Sequence, residues 1–243
     1  MNMHRSADST SEALEQLLSH PALWRAGDQT QSPVGEAQHD PGQGPAMVSS
    51  GIAALDHCLP GGGWPTGALI ELLHSICGIG ELSLLLPAIA QAIRGGRWLV
   101  CVMPPYHIAA SAMQARGIDP DRVLVVRDCS YDESIWASEQ AMRSAACGAV
   151  LIWSQALEKN STTAKRHSQR AVRRLQLAAS KSDALAVLFR DVHARSNASA
   201  AAVRIQLHPR DSGLDVELFK SRGGRQATVH VHSWPVVPSP VQS

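Results

Sequence analysis

The chain has 243 residues, 44% of them hydrophobic, 18% charged and only 4% aromatic, with a formal net charge of +1. That length and balance suit one globular domain with a short appendage, built on a core of small aliphatic side chains. A near-neutral total excludes a surface given over wholly to coating nucleic acid, although a local basic patch fits within it.

In chain order, residues 11–24 read as a short helix with Leu14, Leu17 and Leu18 on one face and a closing turn at 21–24, making 1–25 an N-terminal helical appendage. Residues 26–47, rich in Gly, Pro, Gln and Ser, read as a flexible linker. A strand over 68–73 runs into a Gly-bearing turn, and a helix over 82–94 is stopped by Gly95 and Gly96. A strand over 97–103 ends at Pro104 and Pro105, and a helix over 108–116 closes at Gly117. A strand over 123–126 and a helix over 130–146 follow, the latter with Ile135, Trp136 and Met142 turned inward. The alternation ends with a strand over 149–153, a helix over 163–179 and a strand over 184–189.

Strands that are apolar throughout and separated by helices predict an α/β fold, a mostly parallel sheet with helices on both faces. The pattern then changes. Segments 203–207, 214–220 and 226–232 alternate in twos between Gly-containing turns, which predicts an antiparallel C-terminal extension of the sheet edge. Residues 235–243 read as a frayed tail, leaving 48–234 as the folded domain.

The stretch from Ile70 to Ser83 is a strand, a turn bearing Gly78 and Gly80, and the start of a helix. That is the setting of a phosphate loop, because backbone N–H groups at a helix N-terminus attract anions. A working loop also needs a Lys on the phosphates and a Ser or Thr on Mg²⁺. Here Glu81 stands at the Lys position and Leu82 at the hydroxyl position, with Ser83 one residue late. Two charges ~4 Å apart at an effective dielectric of ~20 interact by ~4 kcal/mol, so the exchange of Lys for Glu turns an attraction into a comparable repulsion. Two readings stay open on these residues: a vestigial nucleotide site, or a tight turn permitted by its glycines while Glu81 caps the helix dipole.

Longer strings carry a resemblance. Leu59-Pro60-Gly61-Gly62-Gly63-Trp64-Pro65, Glu71-Leu72-Leu73, Gly78-Ile79-Gly80-Glu81-Leu82 and Leu84-Leu85-Leu86-Pro87-Ala88 resemble the ImuA family, RecA/SulA-like accessory proteins of bacterial mutagenesis cassettes. Ser50-Gly51-Ile52-Ala53-Ala54-Leu55-Asp56 resembles the opening of RecA-family cores, and the likeness runs on through Met103-Pro104-Pro105-Tyr106, Gly117-Ile118-Asp119, Val150-Leu151-Ile152-Trp153 and Lys220-Ser221-Arg222-Gly223-Gly224. It covers about 48–234, with a fainter echo at Leu23-Trp24-Arg25. It implies a RecA-like core of the P-loop NTPase type. The glutamate that would activate water in RecA falls at Pro105, and the Walker B aspartate falls at Trp153. Neither side chain can accept a proton or hold a metal's water. With Glu81, three catalytic positions are gone; no catalytic residue, cofactor or metal is expected, and the chain is read as not an enzyme.

The same resemblance implies an adaptor in SOS-induced translesion synthesis, beside ImuB, a catalytically inactive Y-family polymerase relative, and an error-prone C-family polymerase. Contact with RecA or its filament, and direct contact with DNA, belong to that reading. The alternatives are a SulA-type division inhibitor that binds FtsZ, whose family shares a shorter form of the same skeleton, and a RecA-like DNA-dependent ATPase. RecA's first DNA loop would fall between Gln155 and Thr163 and its second between Asp191 and Ala201; both segments are short here. The helix after the first is basic: Lys165, Arg166, Arg170, Arg173 and Arg174, with Val172, Leu175 and Leu177 marking its buried side. Such a stripe can meet phosphates, meet an acidic partner, or simply be a solvated face. Lys220 and Arg222 match RecA's basic pair that reaches across a protomer boundary and are candidate contacts with a neighbouring chain or DNA.

Other features carry less. Five cysteines (Cys58, Cys77, Cys101, Cys129, Cys147) have no CxxC spacing, so reduced cytosolic thiols are expected rather than disulfides or zinc ligands. The polar N-terminus has no apolar h-region and no stretch reaches the ~18 apolar residues of a membrane span, so a cytoplasmic location is expected, nucleoid-associated during DNA damage. His230 and His232 read as surface strand residues. Trp64, Trp98, Trp136 and Trp153 read as core, with an exposed contact role for Trp64 as the alternative.

Overall fold

The computed structural model describes residues 23–25, 47–154 and 162–232. In chain order the elements are β1 (Leu23–Arg25), β2 (Met47–Val48), α1 (Ala53–Cys58), β3 (Trp64–Pro65), β4 (Leu69–His74), α2 (Glu81–Ala92) and β5 (Trp98–Val102). Then come α3 (Ala110–Gln114), β6 (Val123–Val126), α4 (Tyr131–Arg143), β7 (Cys147–Trp153), α5 (Thr162–Ala179) and β8 (Leu185–Asp191). The chain closes on β9 (Val203–Arg210), β10 (Gly213–Ser221) and β11 (Ala227–Val231).

Nine of the described strands form one sheet in the order β1-β6-β5-β7-β8-β4-β9-β10-β11, parallel from β6 to β9 and antiparallel at both ends. This is an α/β fold with a mostly parallel sheet and an antiparallel C-terminal extension. Strand residues alternate between faces, and both faces are covered. Ile70, Leu72, Leu99, Leu151, Val187 and Phe189 pack with α1, α2 and α3, while Leu69, Val100, Val102, Val150, Ile152 and Leu188 pack with α4 and α5. Helix α4 starts at a capping box, in which Ser130 and Glu133 each satisfy the other's backbone N–H. At Gly148 the start of β7 passes so close to the end of α2 that a Cβ there would lie 2.2 Å from the Ala92 carbonyl oxygen.

Three expectations change. Leu23–Arg25 is a strand, antiparallel to β6, rather than the end of a helix and its turn. The reason is the sheet: β6 is otherwise a bare edge, and an unpaired edge takes any short extended segment that reaches it. The remainder of the predicted helix, the linker up to residue 46, and the tail at 235–243 lie outside the described residues, while Met47 already pairs with Pro65 in a two-stranded ribbon. Trp64 is fully buried, which removes it as a contact residue, and Trp98 and Trp136 are half-buried. Leu177 is 56% exposed, not buried; the seam of α5 is made by Ala171, Val172, Leu175, Ala178 and Ala179. Those positions recur every three or four residues and Leu177 falls on the opposite side.

Candidate functional site

In open α/β sheets the crevice for a ligand lies beyond the carboxyl ends of the strands. Here the loop at that edge holds one of the chain's own side chains. The turn between β4 and α2 holds Gly78 at φ +85° and Gly80 at φ +101°, left-handed conformations that favour glycine, and Gly80 is the N-cap of α2. The loop thus keeps the shape of an anion nest at a helix N-terminus. Its occupant is Glu81. This first residue of α2 is 1% exposed, and its carboxylate turns back to accept the Gly78 N–H at 3.0 Å on both oxygens. The Tyr106 hydroxyl donates to the same carboxylate at 3.3 Å. Burial and then the neighbouring Glu81 charge push the Tyr106 phenol well above its ordinary range, so it remains a donor.

An aromatic row runs along the strand ends, beside an open pocket of about 350 Å³ lined by His74, Ser75, Cys77, Phe189, Arg190 and Asp191. Trp153, at the end of β7, is 3% exposed and stacks on Phe189 of β8 with ring centroids 4.6 Å apart and planes 13° from parallel. Tyr106 meets Trp153 edge-on at 6.0 Å, and His74, at the end of β4, meets Phe189 edge-on at 6.1 Å. Burial pulls the His74 imidazole below its usual range against the opposing pull of Glu81. The loop carrying Tyr106 is itself held: Arg127 donates to the backbone oxygens of Tyr106 at 2.5 Å and Pro104 at 3.4 Å. Two non-glycine residues with positive φ, Met103 and Asp128, flank this clamp. Pro105 lies exposed on it.

Gly78, Gly80, Glu81 and Trp153 therefore converge, with Leu82 and Ser83 half-buried in the first turn of α2. The basic candidates do not join them. Arg170 and Arg173 lie exposed on α5. Arg174 is engaged instead in a bidentate pair with Glu139 of α4, at 2.9 and 2.7 Å, so it ties two helices together and is withdrawn from the contact set. The side chains of Lys165 and Arg166 lie outside the described residues, as does the segment 155–161 between β7 and α5. Lys220 donates to the Ser199 carbonyl at 2.7 Å, while Arg222 is exposed at the other end of the sheet. The segment after β8 makes a short 3-10 turn, Val192–Ser196, whose Arg195 is paired with Glu217. His230 sits against Asp215 at 2.5 Å with the His232 ring 4.0 Å away, as strand-surface residues.

The residues that sequence reasoning missed are charged ones inside apolar strands. Glu71 of β4 is 0% exposed and binds Arg190 of β8 at 2.9 Å and Arg204 of β9 at 2.5 Å. Arg190 also donates to Ser168 of α5 at 2.7 Å, and Arg204 to the carbonyls of Ala194 and Asn197 at 2.7 and 3.1 Å. A lone Glu in Leu-Ile-Glu-Leu-Leu and a lone Arg in Val-Arg-Ile-Gln-Leu were the available signal, since a charge in a two-sided strand must find a partner.

All five cysteines are free, and burial pushes the Cys147 thiol up to about 12. No described helix is long and apolar enough to cross a membrane, and among the described residues no group of three or more His, Cys, Asp or Glu is placed to hold a metal ion.

Known proteins share parts of this arrangement. Residues 75–185, a little under half of the chain, match the family described as Cell division inhibitor SulA. Over 153 residues, 63% of this chain, it is 29% identical to Protein RecA of Francisella tularensis subsp. novicida (strain U112), and equally to Protein RecA of subsp. tularensis (strain WY96-3418) and of subsp. holarctica (strain FTNF002-00 / FTA). The match spans 39% of each RecA chain. Fold and likeness together make this a RecA/SulA-like chain.

Proposed function

We propose that the protein is a non-catalytic accessory factor of SOS-induced, error-prone translesion DNA synthesis. In this reading it is an adaptor between an ImuB-type relative of the Y-family polymerases and an error-prone C-family polymerase, with RecA or a RecA filament as a further partner. A cytoplasmic location, beside the nucleoid during DNA damage, goes with it. The observation that carries the reading is the Glu81 carboxylate, buried in the phosphate loop and bonded to Gly78 and Tyr106. A bound phosphate would have to displace a like charge from its own hydrogen bonds, at the end of the sheet where Trp153 stacks on Phe189. What such a fold retains is its surfaces. The ImuA-like strings at Leu59–Leu73 and Gly78–Ala88 support the choice of pathway.

Affinity capture of the ImuB-type partner by this chain, repeated over a range of salt concentrations, tests the reading. A stable complex is expected, and its absence at every salt concentration sinks the adaptor. The SulA-family match over 75–185 favours a second reading, a division inhibitor directed at FtsZ. Cells that filament on overproduction of the chain would put it first. ATP turnover is expected to be absent; DNA-stimulated turnover that disappears on Glu81→Ala would instead revive the ATPase.

A further inference from the structure

Helix α5 carries no acidic residue, and its outer side is a run of exposed basic residues. Arg170, Arg173, Leu177 and Lys181 follow one another at spacings of three, four and four residues, which places them in line, Lys181 extending the last turn through its N–H to the Ala178 carbonyl. All four are exposed. Arg170, Arg173 and Lys181 make no ion pair among the described residues, in contrast to Arg174 beside them. At 1.5 Å per residue the stripe is roughly 16 Å long. Leu177 in its middle is 56% exposed, one of two large hydrophobic residues so exposed among the described residues.

We infer that this stripe is a docking site for an acidic, amphipathic protein segment, one that sets carboxylates against Arg170, Arg173 and Lys181 and an apolar side chain over Leu177. The inference rests on the adaptor reading and names the surface and the chemistry of its partner. Leu177 decides between classes of partner. A phosphate backbone would use the cations but gains nothing from an aliphatic side chain among them. A protein segment uses both, because an apolar contact ringed by charge pairs is the ordinary make-up of an interface. The chain's formal net charge of +1 also gives it little of the overall positive field that draws DNA.

The test uses the full chain and a fluorescein-labelled peptide of about four helical turns with Glu along one stripe and a single Leu among them. A Lys-for-Glu version of the peptide and a DNA duplex of about two turns serve as comparators. The acidic peptide is expected to bind at low salt. The double substitution Arg170→Glu with Arg173→Glu is expected to weaken it by at least tenfold, and Leu177→Ser by about fivefold. Arg225→Glu, on the exposed β10–β11 loop, is expected to leave it unchanged. Circular dichroism of each variant confirms that exposed, unpaired positions leave the fold intact. Failure of the peptide to bind, binding indifferent to Leu177→Ser, or loss of duplex binding in place of peptide binding each overturns the inference. The polymerase relative separates the two claims: its capture by wild type and variants alike overturns the stripe while the adaptor stands. Peptide binding without capture of that partner leaves the stripe and removes the adaptor.

Discussion

Glu81 shows how one side chain can convert a binding loop into a closed structure. Its carboxylate does three things at once: it satisfies the Gly78 N–H, it accepts from Tyr106, and it sits at the positive end of α2. Glu81→Ala removes the shared acceptor and leaves the Tyr106 hydroxyl and the loop amide unpaired. The expected cost is about 1–3 kcal/mol, read as a lower urea midpoint with an unchanged slope. Glu81→Gln, which keeps one acceptor oxygen, should recover part of it. Glu71 is under harder constraint, because its carboxylate faces two buried guanidinium groups, 2% and 6% exposed. Glu71→Leu strands both cations and should cost about 3–5 kcal/mol, whereas replacing Glu71, Arg190 and Arg204 together with apolar residues of similar volume should cost far less. Equal destabilisation of the single and triple variants in chemical denaturation would show that the triad is not an electrostatic unit.

At the scale of elements, two ion-pair systems fix how secondary structures sit against each other. Arg174 joins α5 to α4 through Glu139, half-exposed on the arginine side at 49% and 11% on the glutamate side. A double-mutant cycle on Arg174→Ala and Glu139→Ala should give a coupling of about 0.5–1 kcal/mol, with Arg170→Ala within about 0.5 kcal/mol of wild type. On the outer face of the antiparallel extension, Arg195 and then His208 hold Glu217 of β10, lowering its carboxyl from 4.5 to about 2. A depressed carboxyl stabilises the folded state above its unfolded value and loses that contribution as pH falls. The stabilisation is therefore complete above pH 4.5, fades toward pH 2, and is absent in Glu217→Gln. With a side chain 29% exposed it amounts to no more than about 1 kcal/mol, visible as a flatter acid limb of stability against pH in the variant. These elements were largely legible beforehand. Residues 185–189 of β8 and the whole of Cys147–Trp153 are unbroken apolar runs, and the two-residue alternation of Gly213–Ser221 separates its core side from Asp215 and Glu217. What could not be read was pairing across distance. Nothing in the spacing of Arg174 announces Glu139, and Leu23–Arg25 becomes a strand only because β6 lies open beside it. The glutamate in place of a phosphate-loop lysine was readable; that Glu81 bonds back to the Gly78 N–H, and that Tyr106, Trp153, Phe189 and His74 form one row, needed the sheet that brings four strand ends together.

For the molecule as a whole, the proposed loss of ATP chemistry leaves two readings of the RecA-like fold: a dormant ATPase, or a scaffold rebuilt around Glu81 and its aromatic row. Restoring the three lost positions at once, with Glu81→Lys, Pro105→Glu and Trp153→Asp, distinguishes the two. A dormant enzyme would gain nucleotide binding from the triple change. A rebuilt scaffold would instead lose its fold, for reasons that can be sized. Truncating a buried Trp removes about 3–5 kcal/mol of packing, and Trp153 is stacked directly on Phe189. The aspartate that replaces it would be a carboxylate with no cation in the aromatic row, at a further cost of several kcal/mol. The Glu81→Lys exchange would present an ammonium to the Gly78 N–H, a donor with no use for another donor, and would take away the acceptor of the Tyr106 hydroxyl hydrogen. Only the change at Pro105 is cheap, since that residue is exposed. The sum reaches or exceeds the roughly 5–15 kcal/mol that holds a domain together. The triple variant is therefore expected to show lost near-ultraviolet dichroism and no ATP turnover, and Trp153→Asp alone should account for most of the damage. A folded triple variant that binds ATP would show that the aromatic row and the Glu81 plug are replaceable filling, and that the nucleotide site survives beneath them.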